Sequence, residues 1–264
     1  MSLFGKKAVA GDADMLSNIG PDLSFAAAEA YKLLRANLLF SLPANENKCR
    51  VVGTTSSIPS EGKTTTGINL AYSIAETGKK VLLIDADMRL PTLAKRLNLA
   101  PAPGLSNLLA GMSTGNDVLR ASGLHENLHV ICAGDIPPNP SELLGCELME
   151  KVIASLSRNY DYILFDLPPV TTVSDGLVLS KLLDGMVVVV RRGYCDRQSL
   201  AEAMRQIQFH NVKVLGFVMT RSQIAHKSYR KYKKYGKDGY GYGYGYGYGD
   251  KPSNAKDGSD KGSK

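Results

Sequence analysis

The sequence has no apolar run near the roughly 20 residues that a helix needs to cross a bilayer. Its most strongly apolar stretches, Val81–Ile84 and Met186–Val190, are far shorter, so no membrane span is expected. The start, MSLFGKKAVAGDAD, has two lysines but no apolar segment behind them. A secretory signal is therefore not expected, and the reading is cytoplasmic. No CxxC pair occurs: Cys49, Cys132, Cys146 and Cys195 are widely spaced. That pattern fits neither a disulfide framework nor a zinc site and predicts reduced, buried thiols. Clustered cations are also missing from most of the chain. The net charge is +7, yet residues 226–264 alone contribute +6, so the body is nearly neutral and a nucleic-acid surface spread over the fold is not expected.

What is present is ordinary globular material, 264 residues with 44% hydrophobic and 22% charged, enough for one domain with appended segments. Residues 1–23 read as a flexible N-terminal segment. Ser24 can cap a helix running to about Phe40. From Arg50 onward, short aliphatic runs (51–55, 81–85, 128–133, 162–166, 186–190 and 214–219) alternate with segments of helical length. This alternation predicts an α/β fold, a mainly parallel sheet flanked by helices, over 24–225. Helices are expected near 62–77, closed by Gly78, and near 104–110, 141–157, 174–183 and 197–209.

After Thr220 the composition changes to a run with almost no aliphatic residues. Residues 226–264 cannot build a core and read as a disordered, tyrosine-rich tail. Of 13 tyrosines, eight fall here: Tyr229, Tyr232, Tyr235, Tyr240, Tyr242, Tyr244, Tyr246 and Tyr248.

Directly after the first strand comes SIPSEGKTT (57–65), with the spacing GxxxxGK[ST] and Ser57 in place of the first glycine. Backbone N–H groups from Ser57 through Ser60, Glu61 and Gly62 to Thr65, at a helix N-terminus, suit a phosphate. Lys63 would reach the β/γ oxygens and Thr64 would offer its hydroxyl to Mg²⁺. A loop of this kind needs carboxylates at neighbouring strand ends. VLLIDADMR places Asp85 and Asp87 at one, and YILFDLPP places Asp166 at another, where ligands bind in open α/β sheets. Taken singly each is a common helix-capping aspartate; three beside a complete phosphate loop form a set. If the chain stays extended, Asp85 and Asp87 face the same side. The Pro168–Pro169 pair stops the strand after Asp166.

The ordered set SIPSEGKTT, LLIDADMRLP, AGDIPPNPSELL and ILFDLPPV, followed by a tyrosine cluster, closely resembles the catalytic domain of the bacterial tyrosine kinases (BY-kinases) of capsule and exopolysaccharide synthesis, over roughly 24–248. The resemblance implies a P-loop NTPase fold of the MinD/ParA-like type, with ATP and Mg²⁺ bound. It places Lys63 and Thr64 at the nucleotide and metal, with Thr64, Asp85 and Asp166 organising Mg²⁺. Asp85 or Asp87 would orient or deprotonate the tyrosine hydroxyl, and the eight tail tyrosines would be the phosphoacceptors. It further implies a homo-oligomeric ring, through an ExxRxxR motif met here as Glu29, Lys32 and Arg35, with Lys in place of the middle Arg. Because no span is expected, the membrane adaptor of the polysaccharide chain-length type should be a separate chain that recruits the kinase to the inner face of the plasma membrane. An opposing tyrosine phosphatase is implied as well. Thr220 stands where related proteins usually carry Asn.

Other readings stay open at this point. A MinD- or ParA-type ATPase shares the sheet, but the extra lysine of its phosphate loop falls at Ile58, and alternating Tyr-Gly has no apolar helical face for a membrane. A non-catalytic, nucleotide-dependent scaffold of polysaccharide assembly would keep the loop without phosphorylating anything. HENLH at 125–129 matches the HExxH zinc string, but His129 belongs to a strand-like run, where residues four apart do not share a metal as they do on a helix.

Overall fold

The computed structural model describes residues 18–42 and 49–221. Residues 1–17 and the tyrosine-rich segment with its eight expected acceptors lie outside the described residues. The described chain carries α1 (Phe25–Ser41), β1 (Arg50–Ser56), α2 (Lys63–Ala75), β2 (Val81–Asp85), α3 (Leu93–Leu97), α4 (Leu105–Leu109), α5 (Gly115–Val118), β3 (Leu119–Ala121), β4 (Leu128–Ile131), α6 (Pro140–Leu144), α7 (Glu147–Leu156), β5 (Tyr162–Asp166), α8 (Asp175–Val178), β6 (Gly185–Arg191), α9 (Arg197–Phe209) and β7 (Val214–Thr220). Ser24 caps α1 as expected, its hydroxyl accepting from the Ala27 N–H.

The seven strands form one sheet in the order β3-β4-β2-β5-β1-β6-β7. Every pairing is parallel except β3 with β4. Alternation along each strand serves two cores, one on each face. Leu82, Ile84, Ile163 and Phe165 pack with Met149 and Ile153 of α7. Val81, Leu83 and Leu164 pack with Leu38 of α1 and Ile68 and Ile74 of α2. Burial on both faces is what makes these strands read as continuous apolar runs. Because β1, β2, β5 and β6 run in one direction, the loops after them gather at a single edge, and the order turns around β1, where α/β sheets bind ligands.

The structure corrects three expectations. The helix expected over 141–157 is two helices, broken at Gly145, where the Gly145 N–H closes on the Ser141 carbonyl and α7 restarts after Cys146. The segment 174–183 is one turn of α-helix followed by a 3₁₀ turn, Leu179–Leu182. Residues 18–23, expected within a flexible segment, are packed on α2: Ile19 is buried, and Asn69 accepts from the Gly20 N–H at 2.8 Å while donating to the Asn18 carbonyl. Of the cysteines, Cys49 and Cys132 are free and buried, and Cys146 and Cys195 are free and half-buried. No described helix is long and apolar enough to cross a membrane.

One glycine fixes the sheet edge near the site. A Cβ on Gly104 would stand 2.3 Å from the Cys132 carbonyl oxygen and 2.4 Å from the Gly134 nitrogen, and each atom is held by a backbone hydrogen bond, the carbonyl accepting from the Leu105 N–H and the Gly134 N–H donating to the Pro101 carbonyl. Gly104→Ala is expected to cost about 1–3 kcal/mol as an overpacking change, read as a melting temperature lower by several degrees; an unchanged melting curve would show that the edge yields.

Candidate active site

The loop between β1 and α2 turns twice through positive φ, at Ser60 (66°) and Gly62 (94°). Ser57 takes no positive φ, which is why a residue with a side chain serves where the motif carries glycine. The loop is braced from inside. The buried Glu61 carboxylate accepts from the Ile58 N–H at 2.9 Å and the Arg191 N–H at 3.0 Å. Glu61, expected at the nucleotide, thus turns its side chain into the protein and leaves its backbone to the loop. Thr220, at the end of β7, donates to the Glu61 carbonyl at 2.8 Å, and a Cβ on Gly62 would meet its methyl at 3.4 Å. Thr220 therefore touches the phosphate loop. Arg191 Nη1 holds the Ser60 carbonyl, and Thr65 is half-buried in the first turn of α2.

Lys63 and Thr64 begin α2 and point at the carboxylates. Lys63 Nζ lies 2.9 Å from Asp87 Oδ2 and 3.6 Å from Asp166 Oδ1, and the Thr64 hydroxyl donates to Asp166 Oδ2 at 2.6 Å. A second hydroxyl, Thr92 Oγ1, is 3.0 Å from that of Thr64. Asp85 and Asp166 sit opposite each other on β2 and β5. Burial pushes the Asp85 carboxyl well above the usual carboxylate range, reinforced by the Asp166 charge. Burial raises Asp166 as well, against the pull of Lys63. Burial disfavours the Lys63 ammonium, but the Asp166 and Asp87 charges outweigh it and raise its pKa.

The chain does not stay extended past β2, so Asp85 and Asp87 act differently. Asp85 Oδ1 and Oδ2 accept from the N–H groups of Asp87 (3.1 Å) and Leu93 (3.2 Å), bracing the turn that carries Asp87. Asp87 Oδ1 accepts from the Leu90 N–H at 3.1 Å and gives its other oxygen to Lys63. Asp166 Oδ1 is buried with no hydrogen bond. An anionic oxygen left without a hydrogen bond, on a carboxylate shared with a threonine hydroxyl, is the kind of ligand a hard divalent cation takes. Thr64 and Asp166 would hold Mg²⁺, with Asp85 behind them.

Sequence reading missed four contributors. Thr92 and Arg89 lie in or beside a string already quoted, but a threonine near a turn has no signature. Ser141 falls within the quoted AGDIPPNPSELL, where a serine among prolines announces no partner, and Asp175 belongs to no quoted string. The expected ring-contact residues are split by the fold: Glu29 and Lys32 pair with each other at 2.8 Å on the exposed face of α1, whereas Arg35 Nη1 turns inward to Ser73, reaching its carbonyl and its hydroxyl. HENLH is a loop-to-strand junction. His129 stacks edge-on against Tyr160 and His125 against Tyr72, and no cluster suited to a metal by histidine, cysteine and acidic residues occurs among the described residues.

The family model described as an AAA domain matches residues 60–214. Tyrosine-protein kinase YwqD of Bacillus subtilis is 36% identical over 206 residues, 78% of this chain and 86% of that protein. Tyrosine-protein kinase CpsD of Streptococcus agalactiae is 33% identical over 79% of this chain and 90% of its own length. The chain is a bacterial tyrosine kinase. Its lengthwise match is to these short members; it spans 27% of the longer Acinetobacter johnsonii kinase ptk. Among solved structures, the chimerical protein CapA2B2 superposes on the kinase with a TM-score of 0.70 at 33% identity, covering 74% of this chain and 85% of that one. The septum site-determining protein MinD of Pyrococcus horikoshii, at 22% identity and a TM-score of 0.55, covering 69% of this chain and 76% of that one, shares the fold.

Proposed function

We propose that this kinase transfers the γ-phosphoryl group of MgATP to the tyrosines of its own C-terminal tail, from one subunit to the next within a ring, and so regulates capsular or exopolysaccharide synthesis. The observation that carries the reading is the convergence of Lys63 and Thr64 on Asp87 and Asp166, in a chain that also supplies eight closely spaced tyrosines. Such a tail is an odd choice for a plain spacer, and a donor site beside it gives the tyrosines a use.

The residues then have these roles. The loop N–H groups from Ser57 to Thr65 and the N-terminus of α2 hold the phosphates. Lys63 leaves Asp87 for the β/γ oxygens and stabilises charge on the transferring group. Its departure frees Asp87 Oδ2, whose partner in the structure is that ammonium, to take the proton of the tyrosine hydroxyl. The phenolic oxygen bonds to the γ-phosphorus as the bond to the bridging β-γ oxygen breaks, and ADP leaves. Mg²⁺, held by Thr64 and Asp166, would neutralise charge on the β- and γ-phosphates. Asp85 keeps the turn that presents Asp87. Recruitment to the membrane by a separate adaptor chain and reversal by a phosphatase complete the proposal; the CapA2B2 chimera, in which a second component is joined to a kinase relative, supports the adaptor.

The tail carries +6, and phosphorylation of eight tyrosines would add about −12 to −16. Unphosphorylated, it is attracted to the acidic cluster of a neighbour; fully phosphorylated, it is repelled, and the ring loosens. Incubation with ATP and Mg²⁺ should give phosphotyrosine by immunoblot, whereas a scaffold would give none. Mixing Lys63→Met chains with active chains whose eight tail tyrosines are all phenylalanine should place phosphate on the Lys63→Met chains, and particle size should fall after ATP treatment. No label on those chains would rule out transfer between subunits, and an unchanged size at full phosphorylation would rule out the loosening.

A further inference from the structure

Asp175, the first residue of α8, is fully buried. Its two oxygens take the Arg89 fork, from Nε at 2.7 Å and from Nη2 at 3.1 Å, and Oδ1 also accepts the Ser141 hydroxyl. Three elements thus meet at one carboxylate: the turn after β2, the helix after β5 and α6. Only the carboxylate is buried; the Arg89 side chain is 45% exposed, so the pair is weak evidence of stability, and its better-attested use is to fix one geometry. The bidentate fork does this in two directions at once.

The geometry fixed here is that of the phosphate site. Arg89 lies inside the turn that Asp87 closes by accepting from the Leu90 N–H, so the guanidinium and the Asp87 carboxylate are carried on the same four residues. On the other side, the segment from Asp166 to Asp175 is tied to β1 and the phosphate loop: the Val170 N–H donates to the Ser56 carbonyl and the Thr171 hydroxyl to the Ser57 carbonyl at 2.6 Å. Hydrogen bonds and chain together close a circuit, from Lys63 through Asp87, the 87–90 turn, Arg89 and Asp175, along the chain to Thr171 and back by its hydroxyl to Ser57 at the mouth of the same loop.

We propose that Arg89, anchored by Asp175 and Ser141, is a positioning residue for phosphoryl transfer: it holds the turn bearing Asp87 at a fixed distance from the phosphate loop, so that Asp87 meets Lys63 and then the acceptor hydroxyl. The inference rests on the kinase reading above. Arg89 touches none of the reacting groups, and its effect falls on turnover rather than on ATP binding, which the loop N–H groups and Lys63 supply.

The test uses the full chain and measures three quantities for each variant: kcat for tail phosphorylation, KM for ATP, and the dissociation constant of a fluorescent ADP analogue. Arg89→Lys keeps the charge but loses the fork, and its kcat should fall about tenfold, with KM and nucleotide affinity within about twofold of wild type. Arg89→Ala and Asp175→Asn should fall further, and the double variant should be no slower than the slower single one, because both break one link. Ser141→Ala, which removes a single hydrogen bond, should lower kcat about two- to threefold; it keeps the test open if the Asp175 variant does not fold. Unchanged kcat in Arg89→Lys and Ser141→Ala, losses that multiply in the double variant, or a KM that rises in step with the fall in kcat would each overturn the positioning role. Wild-type protein that binds the ADP analogue but makes no phosphotyrosine would overturn the kinase reading itself, whereas an active wild type with unaltered variants would overturn only the clamp.

Discussion

Replacing Lys63 with methionine should reduce tail phosphorylation by about 10²–10³-fold, the scale of losing one preorganised charge partner of the transferring group, and should also make the fold sensitive to pH. The second effect follows from the company Lys63 keeps. Asp85, Asp87 and Asp166 are all buried, and Lys63 is the cation in salt-bridge contact with two of them. Removing one partner of a buried pair while the other stays ionised costs about 3–5 kcal/mol. The carboxylates can avoid that cost by protonating. Burial already holds Asp85 and Asp166 above their ordinary values, so between the unfolded and folded pKa the folded state binds more protons than the unfolded one. Stability is then full below the unfolded value and falls as pH rises through the folded one. Methionine removes the charge that pulls both values down, so the window widens upward. Thermal unfolding of Lys63→Met should show a deep loss against wild type near about pH 8 and a smaller loss near about pH 5.5. Equal losses at the two pH values would refute the electrostatic account, and undiminished phosphotyrosine would refute the assignment of the site.

The parts of this kinase that sequence reading reached are those whose physics is local. A phosphate loop is recognisable because Gly62, Lys63 and Thr64 are contiguous and must sit between a strand and a helix; β1 and α2 are where that demand places them. Strands buried on both faces read as runs such as VLLID and YILFD, and their ends located Asp85 and Asp166. What was not legible depends on where separate segments meet. β3 is three residues of antiparallel edge, too short for a pattern. The division of 140–157 into α6 and α7 turns on Gly145, and a glycine inside an otherwise helical pattern is often tolerated. Asp85 and Asp87 were equivalent under strand alternation; their roles separate because β2 ends at Asp85 and the chain folds back, placing the Leu93 N–H on one carboxylate and Lys63 on the other. Arg89 and Asp175 are 86 residues apart, and nothing in either neighbourhood announces the other.

Asp166→Asn should give the opposite combination to Lys63→Met, a chain that is inactive but no less stable. Asparagine is nearly the same size, and its carbonyl oxygen can still accept from the Thr64 hydroxyl, now 2.6 Å from Asp166 Oδ2. It has no anionic oxygen for a divalent cation, and Oδ1, buried without a hydrogen bond, is the atom whose loss matters. Phosphorylation should fall about 10²-fold or more at limiting Mg²⁺, as expected when a charge partner of the reacting phosphates is removed. The stability consequence has the other sign, because the Asp166 charge is, after burial itself, the main influence raising Asp85. With one negative charge gone, Lys63 balances the remaining pair, so the metal-free protein should melt at or above the wild-type temperature near about pH 8. Combining the two substitutions separates catalysis from electrostatics. Lys63→Met/Asp166→Asn should recover part of the stability lost in Lys63→Met alone, a coupling expected of contacting charges, while remaining as inactive as either parent. Additive losses of melting temperature in the double variant would show that the three carboxylates do not share one charge balance, and wild-type activity of Asp166→Asn at limiting Mg²⁺ would reduce Asp166 to a cap on α2.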